Sequence, residues 1–396
     1  MKTDHYGWVI AGVGALVTMT ALGFGRFAYS VLLPDMRESL GFHYTQMGLL
    51  SGGILLGYLL FSFISGLLAT RFGSKRVLVS SLLCSSLSMF SLSRLSGFFP
   101  LLFFAFLMGA GAAGAHISMA TIIMSWFGKK LLGRAVGIVT GGTGLGIVLT
   151  GMFLPSLVVS LGKEGWRECW VLMAMANLMV CAFGIFLLRE GPIQSGQGSF
   201  ETSEDRGPGF VTGKRDSPTL RFIFLIYFIF GFAYIIYATY FVAYIVEEIS
   251  LPGKVAGDIW SIFGWMCMVS GWVWGFLSDR IGRRKALAWN NGMISLAVFL
   301  PLHFPQTFFL SISTFLFGFT FLGTITIIAA CIGDQPIEKK ASVYGLLTFI
   351  HGLGQLLGSI LGGYLKDLTG SFQLTLLISL IGFILCFLMA SISRKK

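Results

Sequence analysis

Arg26 is the residue of this chain whose charge and position most clearly suggest binding chemistry. It lies well inside a long apolar stretch, in the run Gly23-Phe-Gly-Arg-Phe-Ala-Tyr29. A guanidinium stays protonated in proteins, and an arginine at the centre of a membrane helix costs about 2.5–3.5 kcal/mol on insertion scales. Such a residue normally faces protein or a water-filled cavity, where it can bind a carboxylate or another oxyanion. The sequence therefore predicts an anion anchor; the alternatives are a structural ion pair and an arginine bonded to backbone carbonyls.

Tyrosines provide the next candidate binding groups. Tyr234 and Tyr237 lie too deep in an apolar run to be interfacial tyrosines, and buried phenols need hydrogen-bond partners. At an offset of 208 residues Tyr234 aligns with Arg26, and Tyr237 aligns with Tyr29. We therefore predict that these four side chains face one cavity.

His116 and His351 are the histidines that lie deep in apolar runs. Either could titrate near neutral pH and couple transport to protons, or could bind substrate; the alternative is a neutral histidine that is hydrogen-bonded in the interior. Other polar residues could line the same cavity, but the sequence does not rank them: Gln46, Tyr58, Asn177, Asn290, Asn291 and Gln355.

The composition defines the class of protein that must position these groups. Of 396 residues, 55% are hydrophobic and 11% are charged, and the mean hydropathy is +0.82. A soluble globular chain has about 25% charged residues, so this pattern indicates an all-α protein that crosses a lipid bilayer several times. Five of the six cysteines fall inside apolar runs and the sixth begins one, with no Cys-x-x-Cys spacing. No metal or other cofactor is predicted, and the absence of a phosphate-binding loop argues against ATP hydrolysis.

Twelve apolar runs are long enough to span a bilayer. Six lie in residues 1–189 and six in residues 219–396, and the polar segment 190–218 between them is predicted to be a linker. The runs lie near residues 7–33, 44–68, 76–95, 100–126, 133–161, 167–189, 219–247, 256–278, 285–302, 306–333, 341–365 and 371–393.

The basic residues predict the orientation of the chain in the membrane. The segments that join spans 2–3, 4–5, 6–7, 8–9 and 10–11, together with both termini, hold 21 of the 28 Lys and Arg. The segments on the opposite side hold six, and Arg26 is the remaining one. By the positive-inside rule, both termini and the linker should be cytoplasmic. The net charge of +11 is then explained by topology, and no nucleic-acid partner is predicted.

The two sets of spans contain a repeated loop. Gly66-Leu-Leu-Ala-Thr70-Arg-Phe-Gly-Ser-Lys-Arg76 follows the second span, and Gly275-Phe-Leu-Ser-Asp279-Arg-Ile-Gly-Arg-Arg-Lys285 follows the eighth, at an offset of 209 residues. Glycines of the fifth and eleventh spans also match, at an offset of 208. The chain is therefore predicted to be a parallel duplication of six spans, in which substrate sites lie between the halves near the bilayer midplane.

This doubled loop, the two sets of six spans and the cytoplasmic linker resemble the major facilitator superfamily. The run Gly-Phe-Gly-Arg-Phe-Ala-Tyr-Ser-Val-Leu-Leu-Pro also resembles its YbfB/YjiJ-like bacterial branch. The resemblance implies alternating access, with a central site lined mainly by spans 1, 4, 7 and 10, which favours His116 over His351. The charges of the doubled loop also suit a cytoplasmic gate in which Asp279 is the acidic member, and Thr70 stands where the family usually has Asp. The alternative is that the basic loops only anchor the topology. The predicted gate residues are Gly66, Arg71, Gly73, Arg76, Gly275, Asp279, Arg280, Gly282, Arg283 and Arg284.

Together these features predict a secondary-active transporter of a bacterial cytoplasmic membrane, not an enzyme. Its expected substrate is a small organic anion such as a monocarboxylate, and its expected drive is proton symport or exchange. The two halves need no partner chain, so a functional monomer is expected. The alternatives are an exporter of aromatic or amphipathic compounds and a non-transporting sensor on the same scaffold.

Overall fold

The computed structural model describes residues 2–191, 218–334 and 340–392. Within these ranges all regular structure is helical, which confirms the all-α fold class. The predicted linker lies outside the described residues except for positions 190, 191 and 218. The elements are α1 (Lys2–Thr18), a π-helical segment (Met19–Phe27), α2 (Ala28–Leu40), α3 (Tyr44–Phe72), α4 (Ser74–Arg94), α5 (Phe98–Trp126), α6 (Lys129–Leu161), α7 (Gly165–Leu187), α8 (Pro218–Glu247), α9 (Gly253–Ile281), α10 (Arg283–His303), α11 (Thr307–Gly333), α12 (Lys340–Thr369) and α13 (Gln373–Ile392).

These elements form twelve long helices, because α1, the π-helical segment and α2 are continuous. Eleven helices of the described ranges are long and apolar enough to cross a membrane, beginning with His5–Leu40. The helix that falls short is α10, which begins with three basic residues and carries the buried Asn290 and Asn291. Its place in the repeat corresponds to α4, which does qualify.

The repeat in the sequence is also a repeat in the structure. The helices α9 and α10 begin and end 209 residues after α3 and α4. The turns inside these two pairs are made by Gly73 and Gly282, whose φ angles are 88° and 87°. Residues with a Cβ rarely adopt this conformation, so both loop copies need glycine there.

We call the end of the bundle that carries the α2–α3 and α12–α13 turns the outer end, and the opposite end the inner end. Toward the outer end the halves are in close contact: Gly144 packs against Gly264, and Gly151 against Gly257. A Cβ on any of these glycines would lie within 2.6 Å of atoms of the facing helix, so small residues allow the contact.

The halves separate toward the inner end. Gly137 lies on the same face of α6 as Gly144, two turns nearer the inner end, yet a Cβ there would meet nothing within 4 Å. Likewise Gly352 packs on Leu59, whereas a Cβ on Gly345 would meet nothing within 4 Å. The structure is therefore closed at the outer end and open at the inner end.

Candidate functional site

Arg26 lies in the π-helical segment of the first span, which approaches α6 closely. A Cβ on Gly23 would lie 2.6 Å from the Cα of Gly146, so only glycine permits this approach. The hydroxyl of Thr20, near the start of this segment, donates to the carbonyl of Leu16 in α1 (3.2 Å). Single π-helical turns are often found at functional sites, and here the turn carries the charged side chain.

The guanidinium of Arg26 joins the two halves of the protein. Its Nη2 donates to the hydroxyl of Tyr234 on α8 and to Oε1 of Gln355 on α12 (2.7 Å). Its Cζ lies 5.5 Å from the ring centre of Phe27 and 5.6 Å from that of Tyr58. All four neighbours are neutral, and within the described ranges no carboxylate forms an ion pair with Arg26.

Several hydrogen-bond donors around Arg26 have no acceptor among the residues that the structure describes. Its Nε is buried without a partner in the described part of the chain. Both bonds to Tyr234 and Gln355 come from Nη2, so the two hydrogens of Nη1 are not used by them. Tyr234 and Gln355 both accept from Arg26. The hydroxyl hydrogen of Tyr234 and the amide hydrogens of Gln355 can therefore be donated to another group. The arrangement is a cluster of donors, which suits an anion.

His351 lies beside this cluster in an aromatic stack. Its ring is parallel to that of Tyr227, with centres 4.1 Å apart, and it also stacks with Phe230 and with Tyr234 at 5.6 Å. Its Nδ1 lies 3.0 Å from the carbonyl oxygen of Tyr227 and must therefore carry a hydrogen. A neutral His351 is then left with Nε2 as its acceptor. Gly231 makes room for this histidine, since a Cβ there would lie 2.5 Å from its carbonyl oxygen.

His116 is connected to Arg26 through one intervening residue. Its Nδ1 lies 2.8 Å from the hydroxyl of Tyr58, whose ring is one of the two that face the guanidinium. Neither His116 nor His351 forms a hydrogen bond with Arg26 in this structure. The two histidines therefore approach the same charge from different halves, His116 from α5 and His351 from α12.

The remaining two tyrosines differ in their surroundings. Tyr29 is buried, donates to the carbonyl of Met47 (2.7 Å) and lines a small cavity beside Arg26. That cavity measures about 10 Å³, close to the space one water molecule needs. Tyr237 is hydrogen-bonded to Ser313 (2.7 Å) and stacks on Phe317 inside the second half. The structure therefore brings Tyr29 and Tyr234 to Arg26 and leaves Tyr237 in interior packing.

In the second half two of the predicted gate residues, Asp279 and Arg283, contact each other. Arg283 pairs with Asp279 and, through Nε, with Asp334 at 2.9 Å. Arg284 donates to the carbonyls of Ala390 (3.0 Å) and Ser391 at the end of α13. Asp279 pairs with Arg283 of its own loop, so the bonds described for it stay inside the second half. Its role in a gate stays a prediction.

The first copy of the loop obtains its acidic partner from elsewhere. Thr70 donates to the carbonyl of Leu67, and the backbone N–H of Lys75 donates to Oε1 of Glu190 at 3.3 Å. A Cβ on Gly73 would lie only 2.5 Å from the same carboxylate oxygen. The other loop positions have looser surroundings: Arg71 and Arg280 lie over Phe72 and Phe276, and Arg76 is exposed. A Cβ on Gly66 would meet nothing within 4 Å, and one on Gly275 would lie 3.4 Å from Thr326.

The outer end is closed by polar contacts between the halves that the sequence did not predict. The carboxylate of Asp367, on α12, accepts the backbone N–H groups of Tyr44 (2.9 Å) and Thr45 (2.7 Å) and the hydroxyl of Thr45 (2.6 Å). These two N–H groups open α3 and have no partner within that helix. Beside them Glu247 bonds to the hydroxyl of Tyr44 and lies 3.5 Å from Arg37.

Two residues near Arg26 were recognised in the sequence only as unranked polar residues, namely Gln355 and Tyr58. A usable signal existed for Gln355, because it follows His351 by four residues and must share its face of the helix. Tyr58 offered no such signal. Its importance depends on a contact between the first and second spans, which the sequence does not specify.

Comparisons with known proteins agree with this architecture. A family model described as Uncharacterised MFS-type transporter YbfB matches residues 18–391. The Hexuronate transporter of Bacillus subtilis (strain 168) is 23% identical over 378 residues, covering 88% of this chain and 85% of that protein. The Probable sulfoacetate transporter SauU of Cupriavidus necator is 23% identical over 398 residues, covering 96% and 91%.

A solved structure shares the fold. It is the bacterial homolog to the human lysosomal transporter Spinster in an inward-facing and occupied conformation, with a TM-score of 0.79 at 15% identity, and the match covers 97% of this chain and 96% of that one. At this level of identity the likeness concerns the fold alone. It supports the arrangement of two six-helix halves.

Proposed function

The chain belongs to the YbfB-type family of major facilitator transporters, and from that premise we propose that it carries small organic anions through a site built on Arg26. Members of this family are membrane carriers and not enzymes, in agreement with the sequence prediction. The observation that carries the proposal is a guanidinium inside the first span whose contacts with the described part of the chain are all neutral.

Electrostatics explains why such a site suits an anion. A buried charge without a counter-charge is unfavourable, whereas an oxyanion 4 Å away would gain about 4 kcal/mol at an effective dielectric constant of 20. The free hydrogens of Nη1, the hydroxyl of Tyr234 and the amide of Gln355 supply the hydrogen bonds that an oxyanion accepts. Tyr29 and the cavity beside it give room for one water molecule at the same site.

The relatives point to the same class of substrate. Hexuronate and sulfoacetate are both organic anions, and the proteins named for them align with most of this chain. We include in the proposal the narrower expectation of a small substrate such as a monocarboxylate. A planar carboxylate can accept two parallel hydrogen bonds from the guanidinium of an arginine. The compact ammonium of a lysine could not form this paired contact.

The transport cycle we propose is alternating access in a bacterial cytoplasmic membrane. With both termini and the linker cytoplasmic, the open inner end would release substrate to the cytoplasm or receive it from there. Because Arg26 bonds to Tyr234 and Gln355 of the second half, substrate binding at Arg26 would act directly on the contact between the halves. His116 and His351 are the side chains near the site that could carry a proton in symport; exchange of anions is the other drive.

The experiment is uptake by proteoliposomes of labelled carboxylates and sulfonates, with and without a pH step. Arg26→Lys keeps the charge but loses the fork, and Arg26→Gln loses both. For a transported anion we expect the KM to rise about tenfold in the first variant and more than 100-fold in the second, since hydrogen bonds to charged groups contribute about 1.5–3 kcal/mol each.

Arg94→Gln is the matched control, because this exposed arginine lies at the outer end and only approaches Glu168 at 4.0 Å. Its uptake should equal that of the unmodified protein. Uptake that Arg26→Gln leaves unchanged would contradict the anion site. Failure to transport any anion, combined with resistance to amphipathic compounds on expression, would favour the exporter.

A further inference from the structure

A groove lies between α4 and α7 near their inner ends, on the outside of the first half and away from Arg26. It encloses about 480 Å³. Two basic residues, one serine and three aliphatic side chains line it, namely Lys75, Arg76, Val79, Ser80, Leu83 and Ile185. A groove with cations at one end and hydrocarbon along the rest matches the two parts of a phospholipid.

The basic end of the groove has charge available for a ligand. Arg76 is exposed and forms no hydrogen bond or ion pair within the described ranges. Lys75 donates from Nζ to the carbonyl of Ile185 (2.7 Å), which directs its ammonium along the groove and leaves two of its three hydrogens. One acid, Glu190, contacts this end in the described ranges, and its carboxylate accepts from the backbone N–H of Lys75 at 3.3 Å. Two side-chain cations against one carboxylate leave this end positive.

The apolar part of the groove continues toward the middle of the membrane. Val79, Leu83 and Leu87 follow one another at intervals of four residues, so they form a stripe along one face of α4. Leu83 is 45% exposed and Leu87 is 62% exposed, and Ile185 on α7 is 45% exposed. In a membrane these surfaces contact acyl chains. The stripe begins one turn below the two cations, as the tails of a phospholipid begin below its phosphate.

We propose that this groove binds an acidic phospholipid, whose phosphate contacts Arg76 and Lys75 and whose acyl chain lies along Val79, Leu83 and Leu87. Clusters of basic residues at the cytoplasmic ends of membrane helices are a general means of recognising anionic lipids. The site is separate from the proposed transport site, so it does not depend on the identity of the substrate.

The second half of the protein provides an internal comparison. At the offset of 209 residues, Arg284 and Lys285 correspond to Lys75 and Arg76. The side chain of Arg284 is bound to the end of α13, and the serine of the groove is replaced by Trp289. Gly292 stands where the first half has Leu83. The second half thus keeps the charges but lacks the apolar stripe.

The experiment is native mass spectrometry of the purified full-length protein, titrated separately with phosphatidylglycerol and phosphatidylcholine of identical acyl chains. We expect phosphatidylglycerol to bind at least fivefold more tightly. Arg76→Gln should lower its affinity about fivefold, the ratio that about 1 kcal/mol per basic residue represents. Leu83→Ser should lower the affinity for both lipids, because it interrupts the apolar stripe.

Lys285→Gln is the matched control, since it removes one exposed positive charge from the equivalent position of the second half. It should leave the affinity for phosphatidylglycerol unchanged. Glycerol phosphate, which has the head but no acyl chains, should not compete at concentrations that saturate the lipid. Equal binding of the two lipids, or an equal effect of Arg76→Gln and Lys285→Gln, would overturn the proposal. Arg76 is exposed, so unfolding is not expected, and an unchanged melting temperature checks this.

Discussion

Asp367 is expected to determine how firmly the outer end of the protein is closed. It lies on α12 in the second half, and its carboxylate accepts three hydrogen bonds from the start of α3 in the first half. The carboxylate also lies at the positive end of the α3 dipole. Asp367→Asn keeps the size of the side chain but removes the charge. One amide oxygen must then serve donors that two carboxylate oxygens serve now.

The size of the effect follows from these three contacts. Hydrogen bonds to charged groups contribute about 1.5–3 kcal/mol and neutral ones about 0.5–1.5, so weakening three should cost about 3 kcal/mol. Solvent at the outer end reduces this, because Thr45 and Asp367 are partly exposed there. We therefore expect about 2 kcal/mol, which shifts the ratio of outer-closed to outer-open molecules about 30-fold.

The shift can be measured by the distance between two spin labels at the outer end. Glu38 and Gln373 are exposed and lie on different halves, so labels attached there report the separation of α2 from α13. The free cysteines are first replaced by serine or alanine. In Asp367→Asn the ratio of molecules with a long distance between the labels to molecules with a short one should rise about 30-fold.

A control variant separates a latch from a general effect of charge. Glu168→Gln removes an acid that is also at the outer end but pairs with Arg94 of its own half, at 4.0 Å. Its distance distribution should match that of the unmodified protein. If the ratio in Asp367→Asn changes by less than twofold, or if Glu168→Gln changes it equally, the contacts of Asp367 do not hold the outer end closed.

Further predictions concern the site and the backbone. Gln355→Leu removes an acceptor of Arg26 together with free amide donors, so the KM for a transported anion should rise about tenfold in an uptake assay. A smaller rise in the KM would show that Gln355 does not contribute to the anion site. Gly73→Ala places a Cβ on a residue with φ 88° and ψ 142°, a conformation that residues with a side chain rarely adopt, and we expect about 1–3 kcal/mol of destabilisation, seen as a lower melting temperature. Gly23→Ala should lower the melting temperature more than Gly12→Ala, because a Cβ on Gly12 meets nothing within 4 Å; equal effects would show that the close helix approach is not required.

Much of the architecture is readable in the sequence because it depends on local properties. The helices follow from runs of apolar residues that satisfy their own backbone hydrogen bonds in a membrane. The repeat follows from matching loops, and its glycines at positions 73 and 282 do adopt equivalent conformations. Arg26 is also recognisable locally, since the cost of its charge depends on the apolar residues around it in the chain.

Contacts between distant parts of the chain are decided only by the tertiary structure. Gln355 meets Arg26 across 329 residues, and its amide looked no different from the other polar side chains of the apolar runs. Tyr237 shares a helix face with Tyr234, yet it bonds to Ser313, because the neighbouring helix and not the spacing determines which partner is within reach.

The same reason applies to the two ends of the bundle. Asp367 and Asp279 are both acids close to a helix end, and the sequence favoured only Asp279 as a gate. In this conformation the outer end is closed, so Asp367 reaches the start of α3. The inner end is open, so Asp279 pairs with Arg283 of its own half. The sequence by itself determined the helices, the repeat and the buried charge. Which polar groups meet across the two halves was decided by their packing, because a contact between separate helices depends on the position and tilt of both.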